Sequence, residues 1–185
     1  FQDVKNPVVK EIPFDFSASQ HALCIVETGG DHADLTDDYA SVSNDMFDVA
    51  AFFEKDVLRQ VPEEEFYNQL AEIRRKINDR AVLRAMHFYG DDKRVLQQVK
   101  ALEQGDFDAF KSMVVASGLS SCTQLQNIYS CSQPTQQGLS LALALSQKIL
   151  EPKGGAWRVH GGGFGGTILA FVPLSFLEEY QQAMD

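Results

Sequence analysis

Between His160 and Thr167 the chain places five glycines in six positions, Gly161-Gly162-Gly163-Phe164-Gly165-Gly166, with a short apolar run on either side. Main chain so nearly free of side chains reaches positive φ angles and lets a ligand or another backbone approach closely. Gly161, Gly163 and Gly166 satisfy the spacing G-x-G-x-x-G. In a dinucleotide site that pattern opens a helix, whose N-terminus holds the pyrophosphate. Here Thr167-Ile168-Leu169-Ala170-Phe171-Val172 is β-branched and apolar and is closed by Pro173, so a strand follows instead. The run His160-Gly161-Gly162-Gly163 would suit an oxyanion loop, but that chemistry needs a G-x-S-x-G nucleophile elbow, which the chain lacks. What remains is a glycine-rich hairpin between two strands. A tight structural turn is the plain alternative, yet a two-residue hairpin needs only one or two glycines. Six positions predict a loop whose amides face outward.

Three stretches then fall into one pattern. Gly155 to Thr167 resembles the third signature motif of the GHMP small-molecule kinases, closest to the galactokinase branch, where a GGGFGG loop follows a short strand. Ala101-Leu102-Glu103-Gln104-Gly105-Asp106-Phe107 is similar to the ALxxGD junction of that branch, and Arg59 to Phe66 to its LRDVTxEEF turn into a helix. Order and spacing agree over nearly the whole chain. The resemblance implies that residues 1–185 form one domain, the C-terminal half of a two-domain sugar kinase. The implied fold is α+β, a ferredoxin-like antiparallel sheet with helices on one face plus extra helices. The implied activity is transfer of the ATP γ-phosphoryl group to a sugar hydroxyl, most simply galactose to galactose 1-phosphate. ATP and Mg2+ would be bound mainly by an N-terminal half that carries the catalytic aspartate and the main phosphate loop. That half would be this domain's partner, and the domain alone would be inert. A GHMP-fold protein that senses sugar without turnover is the alternative.

Composition is compatible with this. A net charge of −10 argues against a nucleic-acid surface, while backbone amides can still hold a small anion. Cys24, Cys122 and Cys131 have no disulfide-framework spacing and read as reduced thiols. No apolar run is long enough to cross a bilayer, and no signal peptide is seen, so the expected location is the cytoplasm. The chain opens on Phe1-Gln2-Asp3 without an initiator methionine and reads as a fragment.

The pattern predicts an extended lead-in, Val8 to Phe16, and a strand over 21–27. A helix with Tyr39, Val42, Met46, Val49, Ala50 and Phe53 on one face follows, capped by Asp34 or Thr36. Pro62 to Glu65 starts a second helix with a stripe of Phe66, Leu70, Ile73 and Ile77. A further helix spans about 80–104, with an interruption near Gly90-Asp91-Asp92. Gly105 ends it, and Asp106 caps a short helix through Val115. Ser117 to Pro134 reads as polar loop, with Ser117-Gly118-Leu119-Ser120-Ser121 a capped turn and not an ATP loop. A helix around Leu139 to Leu145, two strands about the glycine loop and a last helix over 176–184 complete the count. Three core strands are expected, and a fourth may lie beyond Asp185.

Among side chains, Tyr39 is the candidate for substrate contact. The galactokinase pattern has a histidine and, seven residues later, a tyrosine whose hydroxyl can meet the sugar, and His32 and Tyr39 reproduce that spacing. A half-buried helix tyrosine is the competing reading, and His32 reads as structural. Gly161, Gly162, Gly163, Phe164, Gly165 and Gly166 are the candidate loop beside the ATP site. By resemblance that loop packs against the ATP loop of the other half, with Trp157 and Phe164 as its anchors. The family's arginine pair after the tyrosine is replaced by Val42 and Ser43, with only the acid kept, as Asp45; its later charged segment becomes Thr123, Gln124, Gln126 and Asn127. Asp31, Asp34, Asp37 and Asp38 fit no EF-hand spacing, and His87 and His160 have no partners at zinc spacing.

Overall fold

The computed structural model describes residues 9–29 and 35–185; His32, Asp31 and Asp34, named above, lie outside them. The three strands are β1 (His21–Glu27), β2 (Ala156–Val159) and β3 (Thr167–Pro173), joined antiparallel in the order β1-β3-β2. Leu23 faces Phe171 and Ile25 faces Leu169 across one ladder; Trp157 faces Ala170 across the other. Among the described residues there are seven α-helices, so the fold is α+β as the sequence predicts, but helices cover both faces of the sheet and not one.

Side chains alternate between the two faces of the sheet. Val26, Ile168 and Val159 on one face meet Leu139 and Ala142 of helix α6 (Gly138–Leu150). Ala170 and Val172 on the same face meet Leu150 and also Tyr180 of helix α7 (Leu177–Met184). On the opposite face, Ala156 and Phe171 lie under Phe110 and Val114 of helix α5 (Phe107–Ser120). Phe16 of the lead-in stacks on Phe171 there. Toward β1 this face is open, and Leu23 and Ile25 are 54% and 50% exposed.

The extra helices make a second core. Helix α1 (Thr36–Phe52) contributes Val49, and helices α2 (Glu63–Asn68) and α3 (Leu70–Lys76) contribute Phe66 and Ile73. Helix α4 (Asp79–Glu103) closes it with Ala81, Val82, Ala85 and Tyr89. The predicted stripe over 66–77 is therefore buried against α4, although the chain bends at Gln69 into two helices instead of one. Pro62 stands just before α2, and the carboxylates of Glu63, Glu64 and Glu65 fill its first turn, where the helix dipole favours them.

Three local expectations are overturned. Leu35 takes the N-cap place of α1 with no capping side chain, and Thr36 is already helical. Helix α4 runs unbroken through Gly90, since packing on α1 and α5 outweighs the roughly 1 kcal/mol that a mid-helix glycine costs. Helix α5 does not stop at Val115. It continues to Ser120 and passes into a π-helical turn, Ser121–Leu125, which Gln126 ends in the left-handed conformation. The serines that look like loop in the sequence are buried and satisfied: Ser117 donates to Asp91 at 2.6 Å and Ser120 pairs with His87 at 2.8 Å. The junction before α5 is as predicted, with Gly105 at φ +69° and the Asp106 carboxylate accepting from the Ala109 amide. Among the described residues no helix is long and apolar enough to cross a membrane.

Candidate functional site

The glycine loop links neighbouring strands, β2 to β3. The hairpin is closed at its base by His160 N donating to the Thr167 carbonyl at 3.1 Å and by the His160 ring against Thr167 Oγ1 at 2.9 Å. Gly161, Gly163, Phe164 and Gly166 all take positive φ, at +68°, +81°, +60° and +89°. The phenylalanine among them is the centre of a tight turn in which Gly165 N donates to the Gly163 carbonyl at 2.7 Å. A bulky residue held at positive φ carries strain that its surroundings must enforce. Those surroundings are visible: Phe164 is buried and meets the Tyr39 ring edge-to-face at 5.5 Å.

Only part of the loop faces outward. Gly161 and Gly162 are exposed, whereas Gly163 to Gly166 are buried. The expectation that all six positions present their amides is corrected accordingly, because the far half of the loop is stitched inward by three residues. Tyr39 of α1 donates its hydroxyl to the Gly163 carbonyl at 2.8 Å. Thr28, just past β1, donates both its amide and its hydroxyl to the Gly166 carbonyl, at 2.9 and 2.7 Å. Asn127 donates its side-chain amide to the Gly162 carbonyl at 3.0 Å and accepts from Phe164 N with its own carbonyl at 2.5 Å. Fit is tight on both sides. A Cβ on Gly162 would lie 2.7 Å from Tyr39 Cε1, and one on Gly163 only 2.1 Å from the Asn127 carbonyl oxygen.

Tyr39 and the loop are in contact, with the hydroxyl committed as a donor to main chain. Burial, helped by the charge of Asp38, pushes the Tyr39 phenol up, so it stays protonated and able to donate. Trp157 does not touch the loop's tip; it packs with Leu150 and Ala170 on the α6–α7 side and anchors β2. His87 is buried against Ser120, far from the hairpin in the chain. Thr28 and Asn127 were not singled out as loop contacts in the sequence, since their partners are backbone atoms more than thirty residues away and no local spacing marks them.

Behind the loop lies an ion pair. Asp45 of α1 is buried and accepts from Arg84 of α4 at 2.7 Å and from Arg80 at 2.6 Å. Arg84, itself buried, also donates to Ser41 and to the Leu125 carbonyl. Burial pulls the Arg84 guanidinium below its ordinary value and Asp45 opposes that shift, which leaves it charged at neutral pH.

No family model matches the chain. A galactokinase from Mannheimia succiniciproducens is 30% identical over 161 residues, covering 87% of this chain and 40% of that protein. One from Haemophilus influenzae is 30% identical over 152 residues, covering 82% of this chain and 37% of that protein. The structure of Lactococcus lactis galactokinase complexed with galactose shares the fold, with a TM-score of 0.72 at 19% identity over 89% of this chain and 40% of that one. The chain belongs to the galactokinase-like GHMP kinases, in their C-terminal domain. It spans about 40% of the length of the curated relatives it matches. Within this galactokinase-like domain, the arginines facing Asp45 come from α4 and not from positions 42 and 43 of α1.

Proposed function

We propose that the domain serves a galactokinase-like sugar kinase, in which the ATP γ-phosphoryl group passes to a hexose hydroxyl, galactose being the first candidate. The observation that carries this reading is the glycine loop held rigidly against Tyr39, with its bare Gly161–Gly162 edge left at the surface. In this reading residues 1–185 are one domain beside an N-terminal catalytic domain, and the Gly161–Gly162 edge abuts the ATP-binding loop of that partner. Such a contact needs main chain without side chains, which these two positions supply. ATP brings the transferable phosphoryl group, and phosphoryl transfer depends on positioning and charge stabilisation more than on covalent chemistry. In this reading Mg2+ would be held mainly by the N-terminal domain.

Tyr39 forms the wall between the loop and the sugar. It is half-buried and fixed by Gly163 and Phe164. Tyr39→Ala in the full-length protein is expected to weaken sugar binding by about 1–3 kcal/mol. Calorimetric titration with galactose checks this, and unchanged affinity would reduce Tyr39 to a loop support.

A coupled assay of ADP release with full-length protein and a panel of hexoses tests the whole reading. Turnover with one of them is expected. ATP and sugar binding without turnover would favour the sensing alternative, which the uncharged Val42 and Ser43 motivate.

A further inference from the structure

Resting on the reading above, and going one residue beyond it, we propose that Asn127 is a positioning residue: it clamps the glycine loop and so sets the Gly161–Gly162 edge for the nucleotide side of the cleft. Among the described contacts it grips the loop on both sides of Gly163: its side-chain amide donates to the Gly162 carbonyl at 3.0 Å, and its main-chain carbonyl accepts from Phe164 N at 2.5 Å. Gly163 is seated so close that a Cβ there would lie 2.1 Å from the Asn127 carbonyl and 2.6 Å from Nδ2.

Asn127 is in turn fixed from below. Gln126 before it is left-handed, at φ 59° and ψ 47°, and its amide closes the π-helical turn on the Ser121 carbonyl at 2.8 Å. Leu125 before that gives its carbonyl to the buried Arg84, which Asp45 holds. A chain of main-chain contacts thus runs from the α1–α4 ion pair to the loop.

The Asn127 side chain is a poor choice for stability. It is 2% exposed, and its Oδ1 is buried with no hydrogen-bond partner among the described residues. A buried polar atom left unpaired costs stability. The nitrogen is the useful half of the amide, and what it does is hold Gly162.

Asn127→Asp is nearly isosteric but turns the donor into a carboxylate facing a carbonyl; Asn127→Ser removes the amide and leaves the backbone in place. Both are made in the full-length protein. Hydrogen exchange of the Phe164 and Gly165 amides is expected to rise roughly tenfold or more. Protection in β1 and β3 stays as in wild type. ATP affinity, read by titration so that turnover is not required, is expected to fall several-fold in both variants. Unchanged loop exchange in the folded variants overturns the proposal, and so does faster exchange with wild-type ATP affinity. If one variant fails to fold, the other decides; if both unfold, Asn127 is a structural keystone and the proposal falls. A wild-type protein that binds ATP but phosphorylates no hexose sinks the kinase reading alone, and the Asn127 measurements still stand.

Discussion

At the scale of single residues, two glycines of one loop are bare for different reasons, and this separates their substitutions. Gly161 has φ +68° and nothing within 4 Å of a prospective Cβ, whereas Gly163 has φ +81° and the Asn127 carbonyl at 2.1 Å. Gly161→Ala therefore meets only the left-handed backbone penalty, about 1–2 kcal/mol. Gly163→Ala meets that penalty and an overpacking cost of about 1–3 kcal/mol besides. Urea denaturation of the two variants should show Gly163→Ala clearly the less stable. Equal losses would mean that the Asn127 contact relaxes freely. Tyr39→Phe is a milder change. It removes the donor to a carbonyl that Gly165 N also serves, so a loss of about 0.5–1.5 kcal/mol is expected in the same experiment.

At the scale of elements, the contact between α4 and α5 is polar inside, and that gives it a pH dependence. His87 is buried, with Nδ1 2.8 Å from Ser120 Oγ and Nε2 3.7 Å from Asp91. Burial pulls its pKa below the ordinary 6.5; Asp91 opposes this, and Arg94 and Arg158 add to it. Below about pH 6.5 the unfolded chain takes up a proton that the folded chain resists, so the unfolded state binds more protons there. Stability is thus complete above that pH and falls as the solution is acidified through it. His87→Gln should flatten this part of the profile. Denaturation at pH 7.5 and 5.5 checks it, and a variant with the wild-type slope would assign the dependence to other groups. The same contact explains where the sequence misleads. Asn78, Gly105 and Asp106 act on their own helix ends, so capping chemistry is readable from neighbouring residues. Ser117 and Ser120 look like loop because their partners, Asp91 and His87, sit on another helix. The glycine loop is legible through its density alone, but Asn127 is not, since it acts on main-chain atoms distant in the chain.

At the scale of the whole molecule, one face of the sheet is covered at β2 and open at β1. On that face α5 packs tightly on β2: a Cβ on Gly118 would lie 2.9 Å from Arg158 Cβ and 3.2 Å from the Trp157 carbonyl. Arg158 reinforces this cover by donating to the Val159 carbonyl at 3.1 Å and to Ser117 at 2.8 Å. Toward β1 the same face leaves Leu23 and Ile25 half exposed, and a net charge of −10 works against self-association in general. Stability should accordingly respond to the β2 side and tolerate change on the open face. Gly118→Val forces α5 off the strand, with an expected loss of about 1–3 kcal/mol. Leu23→Thr removes contacts that are already half solvated and should cost under about 1 kcal/mol. Chemical denaturation ranks the two variants. A Gly118→Val protein as stable as wild type would show that α5 shifts on β2 without cost. A Leu23→Thr protein destabilised as much as Gly118→Val would show that the open face of the sheet is load-carrying after all.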